Sequence, residues 1–360
     1  MNVLIDIGHP AHVHLFRNVY HNLVKDGHVV YVTTKNIPSV FRLLDIYGIP
    51  FVSFGSKHDS LLVKGVDQLR YDACLLRMAW SKHIDVGVHG ITVAHISKLS
   101  PMKSILPDDD DDEVEPVFAK YGHPFADTIL SPDETHRNAK NAIFYRSYHE
   151  LAYLHPNCFT PDPSVLAEAG VKEGEPYFIL RFNAFKAHHD IGVVGLTIEN
   201  KRRLVQYLSS KGKVFITTER NIDDEFLPYQ LKVSPEKAHS LMYYATMFVG
   251  DSQTMTSEAA VLGTPAVKCN SFAGRLSVPN ELEQRYGLCY SFLPNEEEAF
   301  FDKIQKLVSM KDLKKEWQLR RQKMLSEKID YAQFLTWFIE NYPESRKIMK
   351  ENPDYQWRFK

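Results

Sequence analysis

The sequence predicts an α/β protein with two doubly wound domains, each built around a parallel sheet. Short apolar runs of strand length alternate with longer runs of helical spacing in 1–156 and again in 157–325. The chain has 360 residues, which is enough for two domains of ordinary size. A cluster of prolines, Pro156, Pro161 and Pro163, breaks regular structure between the two stretches and predicts the linker.

The composition is that of a globular protein without a strong charge bias. Its 43 basic and 45 acidic residues give a formal net charge of −2, which excludes a bulk electrostatic attraction to nucleic acid. No apolar run approaches the roughly 20 residues that cross a bilayer, and the first residues enter a strand-like run without a signal-peptide pattern. The four cysteines form no CxxC pair, which is typical of a reducing compartment. We therefore expect a cytoplasmic protein.

In the first domain, apolar runs alternate with two clear helical patterns, one after the first strand and one over 37–47. We expect the last strand of this domain at 127–132. The predicted strands are 3–7, 29–33, 48–52, 84–88 and 127–132.

The second domain repeats the alternation. We expect strands at 177–182, 213–218, 247–249 and 265–267, and helices over 235–244, 254–262, 295–308 and 331–340.

The most informative stretch is the small-residue turn between the strand ending at Val249 and the helix that follows it. A strand, a tight turn and a helix amino terminus together form an anion site, because free backbone N–H groups and the positive end of the helix dipole meet there. We expect a diphosphate at Asp251, Ser252, Gln253 and Thr254. About one turn later, Glu258 could accept hydrogen bonds from two ribose hydroxyls. The alternative is that the turn only caps the helix and that Glu258 is a solvated side chain.

This stretch resembles the signature of the carboxy-terminal domain of GT-B proteins, especially the UDP-GlcNAc 2-epimerases and the peptidoglycan UDP-GlcNAc transferase. In place of the Gly-Gly pair of the epimerases, this chain has Gln253 and Thr254. The resemblance implies a GT-B fold, with two Rossmann-like domains facing a central cleft, an acceptor domain first and a nucleotide-sugar domain second. It also implies that 326–360 packs back toward the first domain. The matching residues are Asp251, Ser252, Glu258, Ala259, Ala260, Leu262, Gly263 and Pro265.

Taken whole, the chain is similar to an uncharacterised domain family of the GT-B superfamily, up to about residue 290. Besides the signature, the resemblance is carried by a first-strand pattern, a block before the linker and a basic segment of the second domain. These residues are Asp6, Pro10, His14, Phe16, Arg17, Asn18, Tyr145, Glu150, Leu151, Ala152, Tyr153, Leu154, Arg181, Ala187 and His188.

Three histidines, His9, His12 and His14, follow the first predicted strand. His12 and His14 are two apart on a helix, so their side chains diverge by about 160–200° and cannot share a metal ion. The turn resembles the first loop of GT-B transferases, which implies that His12 is the general base, a role that suits imidazole. We assign Asp6 and His14 to the same catalytic group, and Gly8 and His9 to substrate binding. The alternative is that His12 caps the helix or packs against the linker.

Basic and polar residues follow the first two strands of the second domain, where the carboxyl ends of parallel strands bind ligands. Arg181 and Lys186 could neutralise a diphosphate leaving group. Asn183 and His188 belong to the same segment. Surface solvation is the alternative. After the next strand, two further residues, Thr218 and Glu219, are weaker candidates for the same site.

The acidic run 108–112 predicts a solvated loop, because consecutive carboxylates repel one another. A second interpretation is a mobile lip over the inter-domain cleft. The run lacks the alternating ligands and the glycine of a calcium loop, so we expect no metal site. His149 and Glu150, near the linker, could reach the cleft, but we interpret them as helix-surface charge.

We expect a metal-independent glycosyltransferase without a cofactor, with a nucleotide diphosphate-sugar, UDP-linked, as donor. Its acceptor would be a sugar or a lipid-linked sugar in surface polysaccharide or glycolipid synthesis. One alternative is a hydrolysing UDP-GlcNAc 2-epimerase, and another is a non-catalytic nucleotide-sugar-binding protein. The basic tail residues Arg346, Lys347 and Lys350 predict at most a weak peripheral membrane contact, because acids lie between them. The sequence leaves the oligomeric state open.

Overall fold

A computed structural model divides the chain into two compact units. Unit 1 consists of Met1–Cys158 with Lys328–Lys360, and unit 2 consists of Phe159–Glu327. The described residues, with 61–66 described in their backbone alone, are 1–55, 61–172, 174–182, 195–218 and 222–360.

Unit 1 is built on a parallel sheet that has seven strands in the described part of the chain. The strands are β1 (Asn2–Ile7), β2 (Val29–Thr34), β3 (Val52–Ser53), β4 (Val86–Val88), β5 (Lys103–Pro107), β6 (Thr128–Pro132) and β7 (Ala142–Tyr145). Their order in the sheet is β3-β2-β1-β4-β5-β6-β7, and neighbouring strands are parallel. The carboxyl ends of all these strands therefore lie at one edge of the sheet.

The strands predicted at 3–7 and 29–33 are confirmed, and the run 84–88 contributes its last three residues to β4. The interpretation of 127–132 as the last strand is wrong, because β7 follows β6, and β5 was also missed. Both missed strands are short and border polar residues, so their apolar runs do not stand out in the sequence. The run 48–52 contributes only its final residue to β3.

The helices of unit 1 before the linker alternate with the strands, as the doubly wound pattern requires. They are α1 (Pro10–Lys25), α2 (Pro38–Ile46), α3 (Leu61–Ser81), α4 (Ile91–Ser97), α5 (Pro116–Tyr121) and α6 (Leu151–Leu154).

Unit 2 has a second parallel sheet, with five strands among the described residues. The strands are β8 (Tyr177–Arg181), β9 (Lys213–Thr217), β10 (Met247–Gly250), β11 (Ala266–Cys269) and β12 (Cys289–Phe292), in the order β12-β11-β10-β8-β9. The helices are α7 (Ser164–Glu168), α8 (Ile198–Ser209), α9 (Ala238–Tyr244), α10 (Gln253–Val261), α11 (Ser277–Gln284), α12 (Glu297–Val308) and α13 (Leu313–Glu327). Short 3-10 helices occur in both units, at His123–Phe125, Asp133–Thr135, Asp224–Tyr229, Pro235–Lys237 and Pro353–Phe359.

The helix predicted at 254–262 is confirmed as α10, which begins one residue earlier and ends one residue earlier. Gly263 follows its last turn with φ of 70°, a conformation that glycine adopts without a steric cost. This helix could be predicted because residues with strong local preferences, Ser252 and Gly263, mark its two ends.

The last part of the chain returns to unit 1 as α14 (Tyr331–Glu340) and α15 (Glu344–Glu351). Helix α14 packs on α1 and α6, and Tyr331 stacks on Tyr145 with ring centroids 4.3 Å apart. In the described part of the chain, every helix is too short or too polar to cross a membrane.

We predict that Gly250→Ala destabilises unit 2. A Cβ at Gly250 would lie 2.4 Å from the carbonyl oxygen of Arg181 on the neighbouring strand, so the sheet must shift, at a cost of roughly 1–3 kcal/mol. The matched control is Gly8→Ala, whose Cβ would meet only the His12 ring, at 3.9 Å. Urea unfolding followed by circular dichroism should show a lower midpoint for the first variant alone. An unchanged midpoint for Gly250→Ala would contradict this packing.

Candidate functional site

The first turn of unit 1 places His9 and His12 at the start of α1. The Nδ1 atom of His9 accepts the N–H of Ala11 at 3.2 Å and so caps the helix, while Pro10 occupies its first position. The backbone N–H of Gly8 donates to Nδ1 of His12 at 3.2 Å. Because a neutral imidazole carries one proton, the proton of His12 then lies on Nε2. In this arrangement the Nε2–H of His12 can donate a hydrogen bond, but the ring has no free nitrogen lone pair with which to act as a base.

His89 follows β4 and lies against His12. The two ring centroids are 4.1 Å apart, and Nδ1 of His89 donates to the carbonyl oxygen of Asp6 at 3.0 Å. Burial lowers the pKa of His89 to about 4. Burial, followed by the charge of His89, also lowers the pKa of His12 well below its ordinary value. Both imidazoles are therefore neutral at pH 7.

Asp6 is a buried carboxyl group on β1. Its Oδ1 atom accepts hydrogen bonds from the Thr33 hydroxyl at 2.9 Å and from the Tyr71 hydroxyl. Burial raises the pKa of Asp6 to about 6, against the two hydroxyl hydrogen bonds, which lower it. Gly90 passes close to the other carboxylate oxygen, since a Cβ there would lie 3.1 Å from Oδ2. Asp6 thus changes its charge near neutral pH.

The expectation of a solvated loop over 108–112 is wrong at its first residue. Asp108 is buried, its Oδ2 lies 2.6 Å from His123 Nε2, and it also accepts a hydrogen bond from Arg137. Arg137 in turn donates to the carbonyl oxygen of Asp110. Burial, with the charges of Asp109 and Asp108, raises the pKa of Asp110 to about 8. The buried guanidinium of Arg137 stabilises the acidic run, because its positive charge compensates the repulsion between the carboxylates.

Asp108, Asp109 and Asp110 are the described residues whose ligand atoms lie close enough to hold a metal ion, within 4.8 Å of one another. Asp108, however, is already engaged by Arg137 and His123. The positive charge of the Arg137 guanidinium would repel a metal cation bound to Asp108, so this cluster does not define a metal site.

His149 lies in the turn after β7, and its interpretation as helix-surface charge is wrong. Its Nδ1 atom lies 3.0 Å from Asp109 Oδ1, and its ring stacks on Tyr331 with centroids 5.4 Å apart. Within the described residues, its Nε2 atom is buried and has no hydrogen-bond partner. Burial lowers the pKa of His149, but the charge and hydrogen bond of Asp109, together with the charges of Glu150 and Asp108, outweigh burial and the pKa is raised. The charge of His149 also lowers the pKa of His12 and of His89.

His14 does not join this group. Its ring stacks on Tyr153 with centroids 5.4 Å apart, and its Nδ1 atom lies 3.2 Å from the Tyr47 hydroxyl. These contacts place His14 in the packing between α1, α2 and α6, which indicates a structural role.

In unit 2, the predicted anion turn forms the start of α10. The Ser252 hydroxyl accepts the N–H of Met255 at 3.4 Å, which confirms a helix cap. Asp251 is buried, its N–H donates to the carbonyl oxygen of Arg181 at 3.2 Å, and its own carbonyl oxygen accepts from Asn270 at 2.9 Å. Thr254 is exposed in the first turn of the helix.

Two buried cations lie on the strands that flank β10. On β8, Arg181 donates to the Thr217 hydroxyl at 2.8 Å. On β11, Lys268 is 1% exposed and donates to the amide oxygen of Gln253, the first residue of α10. Burial lowers the pKa of Lys268 to about 8. Lys268 was not among the predicted site residues, although a single lysine inside an apolar strand was the available signal for it.

Glu258 is not a solvated side chain. It is buried, and its Oε1 atom lies 3.0 Å from Nε2 of the buried His239 on α9. Thr218 directly follows β9. Four predicted binding residues lie outside the described residues: Asn183, Lys186, His188 and Glu219.

The chain belongs to a family described as a protein of unknown function (DUF354), whose model matches residues 1–283. It is 22% identical over 288 residues to an uncharacterized protein of Methanocaldococcus jannaschii, covering 75% of this chain and 82% of that protein.

Solved structures with a similar fold include UDP-GlcNAc 2-epimerases and glycosyltransferases. A UDP-GlcNAc 2-epimerase from Neisseria meningitidis bound to UDP-GlcNAc is 11% identical, with a TM-score of 0.61 and coverage of 94% of this chain and 99% of that one. A glycosyltransferase of Streptomyces sp. SF2575 is 13% identical, with a TM-score of 0.61 and coverage of 95% and 100%. At these identities the likeness shows the fold, a two-domain, GT-B-like α/β architecture.

We predict that Asp6→Asn makes the protein more stable above pH 6 but not at acid pH. The pKa of Asp6 is raised from 3.8 to about 6, so the folded state favours the protonated form, and stability falls as pH rises through this window. An asparagine keeps an acceptor for Thr33 and Tyr71 and never ionises. The difference in unfolding free energy between variant and wild type should grow by roughly 3 kcal/mol between pH 3.5 and pH 7.5. Urea titrations at both pH values measure this difference in unfolding free energy. A difference that does not change with pH would contradict a raised pKa of Asp6.

Proposed function

We propose that this protein is a glycosyltransferase that takes a sugar from a UDP-linked donor and transfers it to a hydroxyl acceptor without a metal ion. The observation that carries the proposal is the start of α10, where Ser252 caps the helix and the buried cations Arg181 and Lys268 lie on the two adjacent strands. A helix amino terminus with cations on both sides suits a diphosphate. The likeness in fold to a UDP-GlcNAc 2-epimerase bound to UDP-GlcNAc and to a glycosyltransferase supports the same assignment.

The diphosphate is the leaving group of the transfer, and its negative charge grows as the glycosidic bond breaks. Backbone N–H groups of the first turn of α10 and the guanidinium of Arg181 would stabilise that charge. Lys268, fixed by Gln253, would add a positive field from within the sheet. These groups would supply the electrostatic role that a metal ion has in other transferases.

Glu258 is proposed to bind the ribose of the donor. Its carboxylate is oriented by His239, and ionised carboxylates accept strong hydrogen bonds from hydroxyl groups. We place the acceptor among sugars and lipid-linked sugars of surface polysaccharide or glycolipid synthesis, and the reaction in the cytoplasm.

A hydrolysing 2-epimerase is the second candidate, and the carboxyl groups of unit 1 favour it. Inverting the carbon next to the anomeric centre requires one group to remove its proton and another to return a proton. Asp6 and Asp110, with pKa values raised by burial to about 6 and about 8, can hold or release a proton near neutral pH.

We predict that Thr254→Glu weakens UDP binding at least tenfold and leaves the fold intact. An acid in the first turn stabilises a helix, but here it would repel the diphosphate, and Thr254 is exposed. The neutral control Thr254→Gln should bind UDP within about threefold of wild type, since one exposed contact contributes little. Calorimetric titration with UDP and other nucleoside diphosphates measures both. Equal affinities for the two variants would remove the diphosphate from this turn.

The two enzymatic candidates separate in a donor-turnover assay with UDP-GlcNAc and other UDP-sugars. A transferase should release UDP at a rate that rises with added sugar or lipid-linked acceptors. An epimerase should release UDP and a free, inverted sugar without any acceptor. Binding without turnover under both conditions would leave a nucleotide-sugar-binding protein.

A further inference from the structure

We propose that His149 is the general base of the transfer reaction and that Asp109 is its positioning residue; this inference depends on the proposed function. It replaces the expectation that His12 removes the proton of the acceptor. The two histidines differ in which ring nitrogen can accept a proton.

The Asp109 carboxylate determines the tautomer of His149. Its Oδ1 atom lies 3.0 Å from Nδ1 of His149, so the neutral ring donates Nδ1–H to the carboxylate and keeps its lone pair on Nε2. That Nε2 atom is buried and, among the described residues, has no hydrogen-bond partner. A carboxylate that orients an imidazole in this way also stabilises the imidazolium formed when Nε2 takes a proton.

Both members of the pair are held by packing. The His149 ring stacks on Tyr331 at 5.4 Å between centroids. Asp109 follows Asp108, which is anchored by His123 and Arg137. A base held in one orientation loses little entropy when it reacts.

The charges around His149 favour its protonation over that of its neighbours. Asp109, Glu150 and Asp108 all raise the pKa of His149. The two other nearby imidazoles, His12 and His89, stay neutral because burial lowers their pKa values. Of the three histidines at this edge, His149 is therefore the one whose surroundings favour the protonated ring.

His12 can only complement this role. Its Nδ1 atom accepts the N–H of Gly8 at 3.2 Å, so its Nε2 carries the proton and acts as a donor. Such a donor would hydrogen-bond to the acceptor oxygen, whose own proton goes to His149.

The step balances without a co-reactant. The acceptor hydroxyl gives its proton to Nε2 of His149 while its oxygen forms a bond to the anomeric carbon. The bond from that carbon to the diphosphate oxygen breaks, and UDP leaves with the electron pair. The imidazolium then returns its proton to water.

The test uses the full chain and compares His149→Gln, Asp109→Asn and the control His83→Asn, which changes an exposed histidine at the other end of β4. We expect His149→Gln to lower kcat at least 100-fold with unchanged UDP affinity, as loss of a general base predicts. Asp109→Asn should shift the acid limb of the pH–kcat profile to lower pH, because it removes the charge that raises the pKa of His149. A kcat of His149→Gln within threefold of the control overturns the proposal. Thermal melts establish that each variant is folded.

A wild-type protein that turns over no UDP-sugar would disprove the proposed function, and the pair is then judged by nitrogen NMR of the imidazoles. His149→Gln assigns the His149 signals. A neutral His149 protonated on Nδ1, with a pKa that falls in Asp109→Asn, would support the pair as a base for another substrate. Protonation on Nε2 would overturn it.

Discussion

The parallel arrangement of the strands is the constraint on which both candidate sites depend. Parallel pairing brings the carboxyl ends of all strands of a sheet to one edge, so residues far apart in sequence meet there. In unit 1 this edge collects Asp6 at β1, His89 after β4, Asp109 after β5 and His149 after β7. In unit 2, three neighbouring strands contribute in the same way. Arg181 lies on β8, α10 begins after β10, and Lys268 lies on β11.

The two units bury different kinds of ionisable side chain at these edges. Unit 1 buries carboxyl groups and imidazoles. Burial raises the pKa of Asp6 and lowers the pKa of His89, and both shifts favour the neutral form of the group. Unit 2 buries cations, Arg181 and Lys268, beside a helix amino terminus. The first set suits proton transfer, and the second suits the binding of an anion.

Features with strong local signals could be predicted from the sequence, and features made by distant contacts could not. The bounds of α10 follow from Ser252 at one end and Gly263 at the other, which act through their own backbone. The burial of Glu258 depends on His239, 19 residues away, and no periodicity indicates it. His149 was interpreted as helix-surface charge for the same reason. Its partner Asp109 follows another strand, and the strand before His149 was itself too short to recognise.

The central claim is that a nucleoside diphosphate binds at the start of α10. Hydrogen exchange of the full chain, measured by mass spectrometry with and without UDP, tests it most directly. The account predicts slower exchange in the peptide that covers 250–258, because the backbone N–H groups of this turn would be bonded to phosphate oxygens. Protection confined to peptides of unit 1, or a change that is absent from this peptide at saturating UDP, would contradict the account.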